Sequence, residues 1–278
     1  MGKVIAIANQ KGGVGKTTST INLSASMAMK GMKILVVDCD PQGNATSGLG
    51  IDKRTVENSI YELIIDACEI KECIMPSAVK NLDVIPSSVD LAGAEIELIG
   101  NSDKDFILKN KIQEIQNNYD YIFIDCPPAL NTLTVNALTT ADSVLVPIQC
   151  EFYALEGLSQ LIYTIDLIKA RLNAKLEIDG IVFTMYDGRT NLSLQVVESV
   201  KNNLKQNIYK TMIPRNVRLA EAPSYGLPIC MYDGRSSGAV AYDRLAEEIL
   251  IKDGKIKPQI KTRKATEVKK STKLFGHK

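Results

Sequence analysis

"NQKGGVGKTTST", residues 9–20, is the stretch on which the fold turns. A phosphate-binding loop ordinarily reads G-x-x-x-x-G-K-[ST]. Gly15, Lys16 and Thr17 fit the end of that pattern, but Gln10 stands where its first glycine belongs, and an additional lysine, Lys11, opens the loop. The context is nevertheless the right one. The apolar run "KVIAIA" (3–8) comes before it, and a helical stretch from 16 to 30 follows, stopping at Gly31. Gly12, Gly13 and Gly15 have no side chains, so their backbone N–H groups can approach phosphate oxygens closely. A helix that starts near Lys16 turns its positive end to the same place. Lys16 supplies a point charge for the outer phosphates, Thr17 a hydroxyl for Mg²⁺, and Thr18 shares that first turn. The competing reading is a glycine turn that binds nothing. Strand, loop, Lys-Thr and helix all speak against it.

Five further apolar runs are rich in Val and Ile and bounded by Gly, Pro or Asp: "KILVVD" (33–38), "LDVIPS" (82–87), "YIFID" (121–125), "SVLVPI" (143–148) and "IDGIVFTM" (178–185). Residues 103–118, 153–173, 190–206 and 238–251 carry amphipathic helical patterns between and after them. Alternation of strand and helix predicts an α/β fold, an open, mostly parallel twisted sheet with helices on both faces. In such a sheet, ligands bind beyond the carboxyl ends of the strands. "ILVVDCDPQGN" ends a strand with Asp38 and Asp40, and "YIFIDCPPAL" ends another with Asp125. Together with the loop they fit one nucleotide–Mg²⁺ site. Asp125 would hold Mg²⁺ through water, and Asp40 would orient the attacking water. Asp38 reads equally well as a site member or as a strand-end cap.

The 278 residues, 45% hydrophobic and 23% charged, are ordinary globular composition, and no run of 18 apolar residues spans a membrane. Cysteines at 39, 68, 73, 126, 150 and 230 include no C-x-x-C pair, so neither a disulfide framework nor a zinc site is expected, and reducing cytosol is the expected compartment. A net charge of +1 hides an asymmetry. Residues 252–278 carry ten Lys and Arg against two acids, a net +8, while the other 251 residues hold 23 basic and 30 acidic side chains, a net −7. The expected organisation is therefore a folded domain over 1–251, carrying the nucleotide site, and a basic tail over 252–278.

The phrases "KGGVGKTT", "VDCDPQGNATSGLG", "DCPPAL", "EFYALEGLSQL" and "IPRNVRLAEAPS" together resemble the ParA/Soj family of chromosome-partitioning ATPases, P-loop NTPases of the deviant Walker A class that also includes MinD. The resemblance runs over roughly residues 1–250. It implies an ATPase that uses ATP and Mg²⁺ and forms a homodimer when ATP is bound. It implies that Lys11 reaches across the dimer to the partner's phosphates, and that Pro214 and Asn216 contact the adenine. It also implies non-specific double-stranded DNA binding through Arg189 and Arg218, a ParB-type protein as partner, and a cytoplasmic, nucleoid-associated location. Residues 201–218 carry Lys201, Lys205, Lys210, Arg215 and Arg218 and no acid, a local basic run in an acidic body that puts Arg215 beside the other two arginines. The bland alternative is a solvated basic helix.

The tail departs from the family pattern and is expected to add DNA affinity. The alternative, a MinD-like membrane-associated switch, rests on the faint likeness of "KKSTKLFGHK" to basic, Phe-containing membrane helices. Its apolar face is poor, so no stable membrane association is expected. A nitrogenase iron protein shares this loop, but it needs paired cysteines between subunits, and Cys39 and Cys126 read as packed strand-end thiols. His277 is the only histidine, which excludes Ser/His/Asp chemistry.

Overall fold

Val and Ile crowd the apolar runs because a parallel strand covered on both faces has no polar side. The computed structural model describes residues 1–151 and 153–258, without the side chain of Glu95. Its strands are β1 (Lys3–Ile7), β2 (Ile34–Asp38), β3 (Met75–Pro76), β4 (Leu82–Ile85), β5 (Tyr121–Asp125), β6 (Ser143–Gln149) and β7 (Glu177–Thr184). They form one sheet in the order β3-β4-β2-β5-β1-β6-β7, parallel throughout except for β3 against β4. The mostly parallel sheet with helices on both faces is thus the observed fold. The two-residue β3 was not legible in sequence, and its Pro76 suits an edge position, where one missing N–H costs no ladder bond.

The helices are α1 (Lys16–Met29), α2 (Asn44–Gly48), α3 (Ile60–Ile64), α4 (Ala94–Glu97), α5 (Ile107–Ile115), α6 (Thr132–Thr140), α7 (Ala154–Arg171), α8 (Asn191–Asn203), α9 (Val217–Glu221), α10 (Ile229–Tyr232) and α11 (Ser237–Lys252). Alternate strand residues divide the core in two. Val4, Ala6, Ile122 and Ile124 pack with α5, α6, α7 and α8 through Ile112, Leu138, Leu161 and Val200. Ile5, Ile7, Val36 and Phe123 pack on the other face with α1 and α11 through Leu23, Met27, Tyr242 and Leu245. The register sets Ile7 and Asp38 each beside Asp125, so the phosphate loop, Asp38 and Asp125 leave the sheet side by side.

The basic run at 201–218 is not one helix, since α8 stops at Asn203 and α9 begins only at Val217. The expected domain boundary also needs correction. Residues 252–256, assigned to the tail, are built into the body. Lys252 Nζ lies 2.7 Å from Asp179 and donates to Tyr209 Oη at 2.8 Å. Asp253 accepts from Lys3 Nζ at 2.9 Å and from Tyr121 Oη at 3.0 Å, and Ile256 packs on the core. Gly254, at φ 69°, ends α11 in the left-handed region that glycine tolerates. The remainder of the tail, 259–278, lies outside the described residues.

Asp179 holds this end of the sheet together. It is buried, Lys3 approaches to 2.7 Å, and Tyr209 Oη also donates to it. Burial would raise its pKa, but the attraction of Lys3 and Lys252 outweighs burial and the net movement is downward. A carboxylate depressed in the folded state stabilises above its unfolded pKa, and that contribution is lost as pH falls through the folded value. Asp179→Ala strands two lysines that keep some water, so it should cost about 3 kcal/mol, the low end for breaking a buried pair. Urea unfolding at pH 7 should show that loss, and the gap from wild type should shrink below about pH 4, near the free Asp value. An undiminished gap in acid would refute the electrostatic account.

Candidate functional site

The loop between β1 and α1 is pinned from three sides. Asn9 Nδ2 donates to Pro147 O at 2.8 Å, while Asn9 Oδ1 accepts from Lys11 N at 3.0 Å. Gln10, in the place of the expected glycine, donates through Nε2 to Thr164 Oγ1 of α7 at 2.9 Å. Thr184 Oγ1, at the end of β7, donates to Val14 O at 2.7 Å. The loop is therefore held before any phosphate arrives. Gly15 caps α1 at φ 89°, with no side-chain cap and no acid in the first turn. The first N–H groups of a 14-residue helix thus open toward the loop without a competing acceptor.

Lys16 is buried, and its Nζ donates to Lys11 O at 3.1 Å. Burial lowers its pKa; Asp125 pulls the other way. Lys11 is half-buried, and its Nζ pairs with Glu151 of the same chain. Glu151 carried no recognisable signal in the sequence. Gly12, Gly13, Thr17, Thr18 and Asp40 line a cavity of about 340 Å³ with Lys16. Asp40 Oδ1 accepts from Gln42 N at 3.0 Å, and Oδ2 makes no hydrogen bond among the described residues. Asp38 does not face this cavity. It is wholly buried, and its Oδ2 accepts from Thr46 N at 2.8 Å and Thr46 Oγ1 at 2.7 Å. Its other oxygen accepts from Asp40 N at 3.2 Å. Of the two readings open for Asp38, the cap is the observed one: it fixes the loop that presents Asp40.

Asp125 is wholly buried, accepts from Thr20 Oγ1 at 2.8 Å, and leaves Oδ2 without a partner among the described residues. Burial first, then the charge of Asp38, push its pKa up, against the Thr20 hydroxyl. An orphaned carboxylate oxygen beside an uncapped helix start is costly unless a cation or its water completes it.

A second cavity, about 330 Å³, adjoins the first and shares Gly15, Thr18 and Met185 with it. Pro214, Ile213 and Leu219 give it apolar walls suited to a planar base, with the Asn216 amide at its edge. Asn216 is also the N-cap of α9, accepting from Arg218 N at 2.8 Å and donating to Ser237 Oγ at 2.7 Å. Met185, at φ 48°, stands between the two cavities in strained backbone that nothing in its residue type announces. A larger cavity of about 660 Å³ opens at the amino ends of the strands, beside Lys3, Gln116 and Asp142. It is at the wrong end of the sheet for this chemistry.

The three arginines sit on neighbouring segments, because Arg215 N donates to Tyr186 O at 3.2 Å, just before Asp187. Arg189 is exposed and pairs with Asp187 at 2.6 Å. Arg218 pairs with Glu221 at 2.9 Å and Asp233 at 3.6 Å. Arg215 lines the mouth of the second cavity. Two of the three are already neutralised by the chain's own acids, which the basic run alone did not reveal.

A family model described as an AAA domain matches residues 2–178. The chain is 55% identical over 249 residues to the sporulation initiation inhibitor protein Soj of Bacillus subtilis (strain 168), covering 90% of this chain and 98% of the relative. It is 49% identical over 253 residues to the chromosome partitioning protein ParA of Myxococcus xanthus, covering 91% and 89%. Among solved structures, cobyrinic acid a,c-diamide synthase from Mycobacterium smegmatis, with bound ADP and magnesium, superposes with a TM-score of 0.81 at 33% identity, covering 91% and 96%. On this extent of match, carried through the phosphate loop and both aspartate segments, the chain belongs to the ParA/Soj family of chromosome-partitioning ATPases.

Proposed function

We propose that this protein is an ATP-hydrolysing switch that dimerises on ATP, binds double-stranded DNA without reading its sequence in that state, and works with a ParB-type partner in partitioning a chromosome or plasmid. The observation that carries the reading is the joining of the two cavities at Gly15 and Thr18: an N–H and lysine cradle on one side, an apolar slot on the other. Triphosphate and adenine match those two surfaces. Gly12, Gly13, Gly15, Lys16 and Thr18 hold phosphates, and Pro214 and Asn216 flank the base. Thr17 and, through water, the orphaned Asp125 are the residues that would hold Mg²⁺. The ion neutralises phosphate charge when bound. Asp40 presents its free Oδ2 to orient water. A switch of this kind resides in the cytoplasm on the nucleoid.

Lys11 makes nucleotide the condition for dimerisation. Two facing loops would bring like charges together, and triphosphate removes that repulsion. In the single chain Glu151 holds Lys11, so phosphate capture exchanges one anion for another. Lys11→Ala should keep most nucleotide affinity and lose the ATP-dependent dimer. Size-exclusion with a slowly hydrolysed ATP analogue checks this; a normal dimer of the variant would remove Lys11 from the cross-subunit role.

Arg189, Arg215 and Arg218 are the proposed DNA contacts, doubled on one face by dimerisation. The pairs with Asp187 and Glu221 imply that DNA phosphates displace carboxylates. Residues 259–278, with seven basic side chains against one acid, are proposed to add a nucleotide-independent increment. Deleting them should weaken DNA binding by similar factors in ATP and ADP and flatten its salt dependence. Loss of liposome binding with DNA affinity untouched would assign the tail to a membrane instead.

A further inference from the structure

We propose that Cys68 and Cys73 form a reversible oxidation site, a dithiol that a peroxide converts to an intramolecular disulfide. Their spacing excludes a C-x-x-C motif, yet the fold sets the two sulfurs 3.3 Å apart in a weak S–H···S contact. Cys73 is fully buried in the core beside Ile60, Leu63 and Ile70. Cys68 is only half-buried, at the outer end of the pair. One sulfur is therefore within reach of a small oxidant, and the other waits behind it.

The chain between them is short and ordered. Residues Ile70–Cys73 form a 3₁₀ turn, and Glu69 N donates to Glu72 Oε2 at 2.8 Å across its start. Cys73 Sγ also donates weakly to Ser59 O at 3.4 Å, which fixes the inner sulfur against the start of α3. A disulfide needs the sulfurs at about 2.05 Å, so they must approach by roughly 1.2 Å, a motion within reach of the outer side chain. Burial pushes the Cys73 thiol up, with Cys68, Glu62 and Glu72 adding to it, which makes Cys68 the thiol that reacts first.

The step balances with a hydroperoxide as oxidant. Cys68 gives up its proton and its thiolate attacks one peroxide oxygen; the O–O bond breaks, sulfenic acid forms, and the leaving hydroxide takes up that proton to become water. The Cys73 sulfur then attacks the Cys68 sulfur, the S–O bond breaks, and a second water leaves. Two thiols lose two electrons and two protons, and hydrogen peroxide becomes two waters. In a reducing compartment thiol exchange reverses the bond, so it would persist only under sustained peroxide. The site lies just before β3 at one sheet edge, with β4, β2 and β5 between it and β1, the strand that feeds the phosphate loop.

The sequence supplies a direct test, because trypsin cuts after Lys71, between the two cysteines. The full-length protein is treated with hydrogen peroxide, alkylated and digested without reductant. Peptides 55–71 and 72–80 should remain joined, two hydrogens lighter than their sum, and should separate with dithiothreitol. Thiol titration should fall from six to four in wild type, and Cys68→Ser should keep its five. Since Cys68 is half-exposed, that variant should fold with an unchanged thermal midpoint before oxidation. Peptides that separate while Cys68 carries sulfinic acid, or a disulfide joining either cysteine to another, would overturn the proposal.

Discussion

Lys16→Ala should bind no measurable nucleotide. Its ammonium is the buried cation in the phosphate cavity, and hydrogen bonds to charged groups contribute about 1.5–3 kcal/mol each. Two such bonds to the outer phosphates amount to roughly two to four decades in affinity. The variant also separates loss of binding from loss of fold. Burial lowers the Lys16 pKa, so the charged ammonium costs stability where, among the described residues, Lys11 O is its hydrogen-bond acceptor. Without nucleotide, Lys16→Ala should therefore melt no lower than wild type, and only wild type should gain stability when ATP is added. Calorimetric titration with an ATP analogue and a thermal scan measure both. Affinity within threefold of wild type would show that Lys16 does not meet the phosphates.

Asp40→Ala should retain ATP, form the dimer and lose turnover by about two to four decades, the usual span for a group that positions or deprotonates a nucleophile. The structure adds a control. Asp40 Oδ1 also accepts from Gln42 N, so Ala removes a loop contact together with the charge. Asp40→Asn keeps an oxygen for Gln42 and removes only the carboxylate. If the charge orients water, both variants lose turnover and keep the dimer. If the loop contact is what matters, Asn recovers most of the rate. Phosphate release under single-turnover conditions distinguishes these, and an unchanged rate in Asp40→Ala would place the role on another residue.

The fold was legible because its determinants are local. Buried parallel strands such as "YIFID" are short, continuous and bounded, and the glycine loop follows one of them immediately. The missed α6 shows the limit. "TLTVNALTT" is rich in β-branched Thr and Val, poor helix formers. Its helix rests on Asn131 as cap to Thr134 N and on the burial of Leu133, Ala137 and Leu138. The phosphate loop and Asp125 could be placed because strand ends in a parallel sheet converge. Glu151, Met185 and the Cys68–Cys73 pair could not, since each takes its meaning from a neighbour brought close only by folding. Asp38 was ambiguous for the same reason, until Thr46 proved to be its partner. The tail boundary was misplaced because Lys252 and Lys255 look like any basic run until Asp179 and Asp120 are seen beside them.

In the proposed switch, nucleotide state sets DNA affinity through a dimer. The most direct test is DNA binding by the full-length protein at one fixed salt concentration, with a slowly hydrolysed ATP analogue, with ADP and with no nucleotide, for wild type and Arg218→Glu. Wild type should bind at least tenfold more tightly with the analogue than in the other two states, about 1.4 kcal/mol or more, and Arg218→Glu should lose that increment. Equal affinity of wild type in all three states would contradict it.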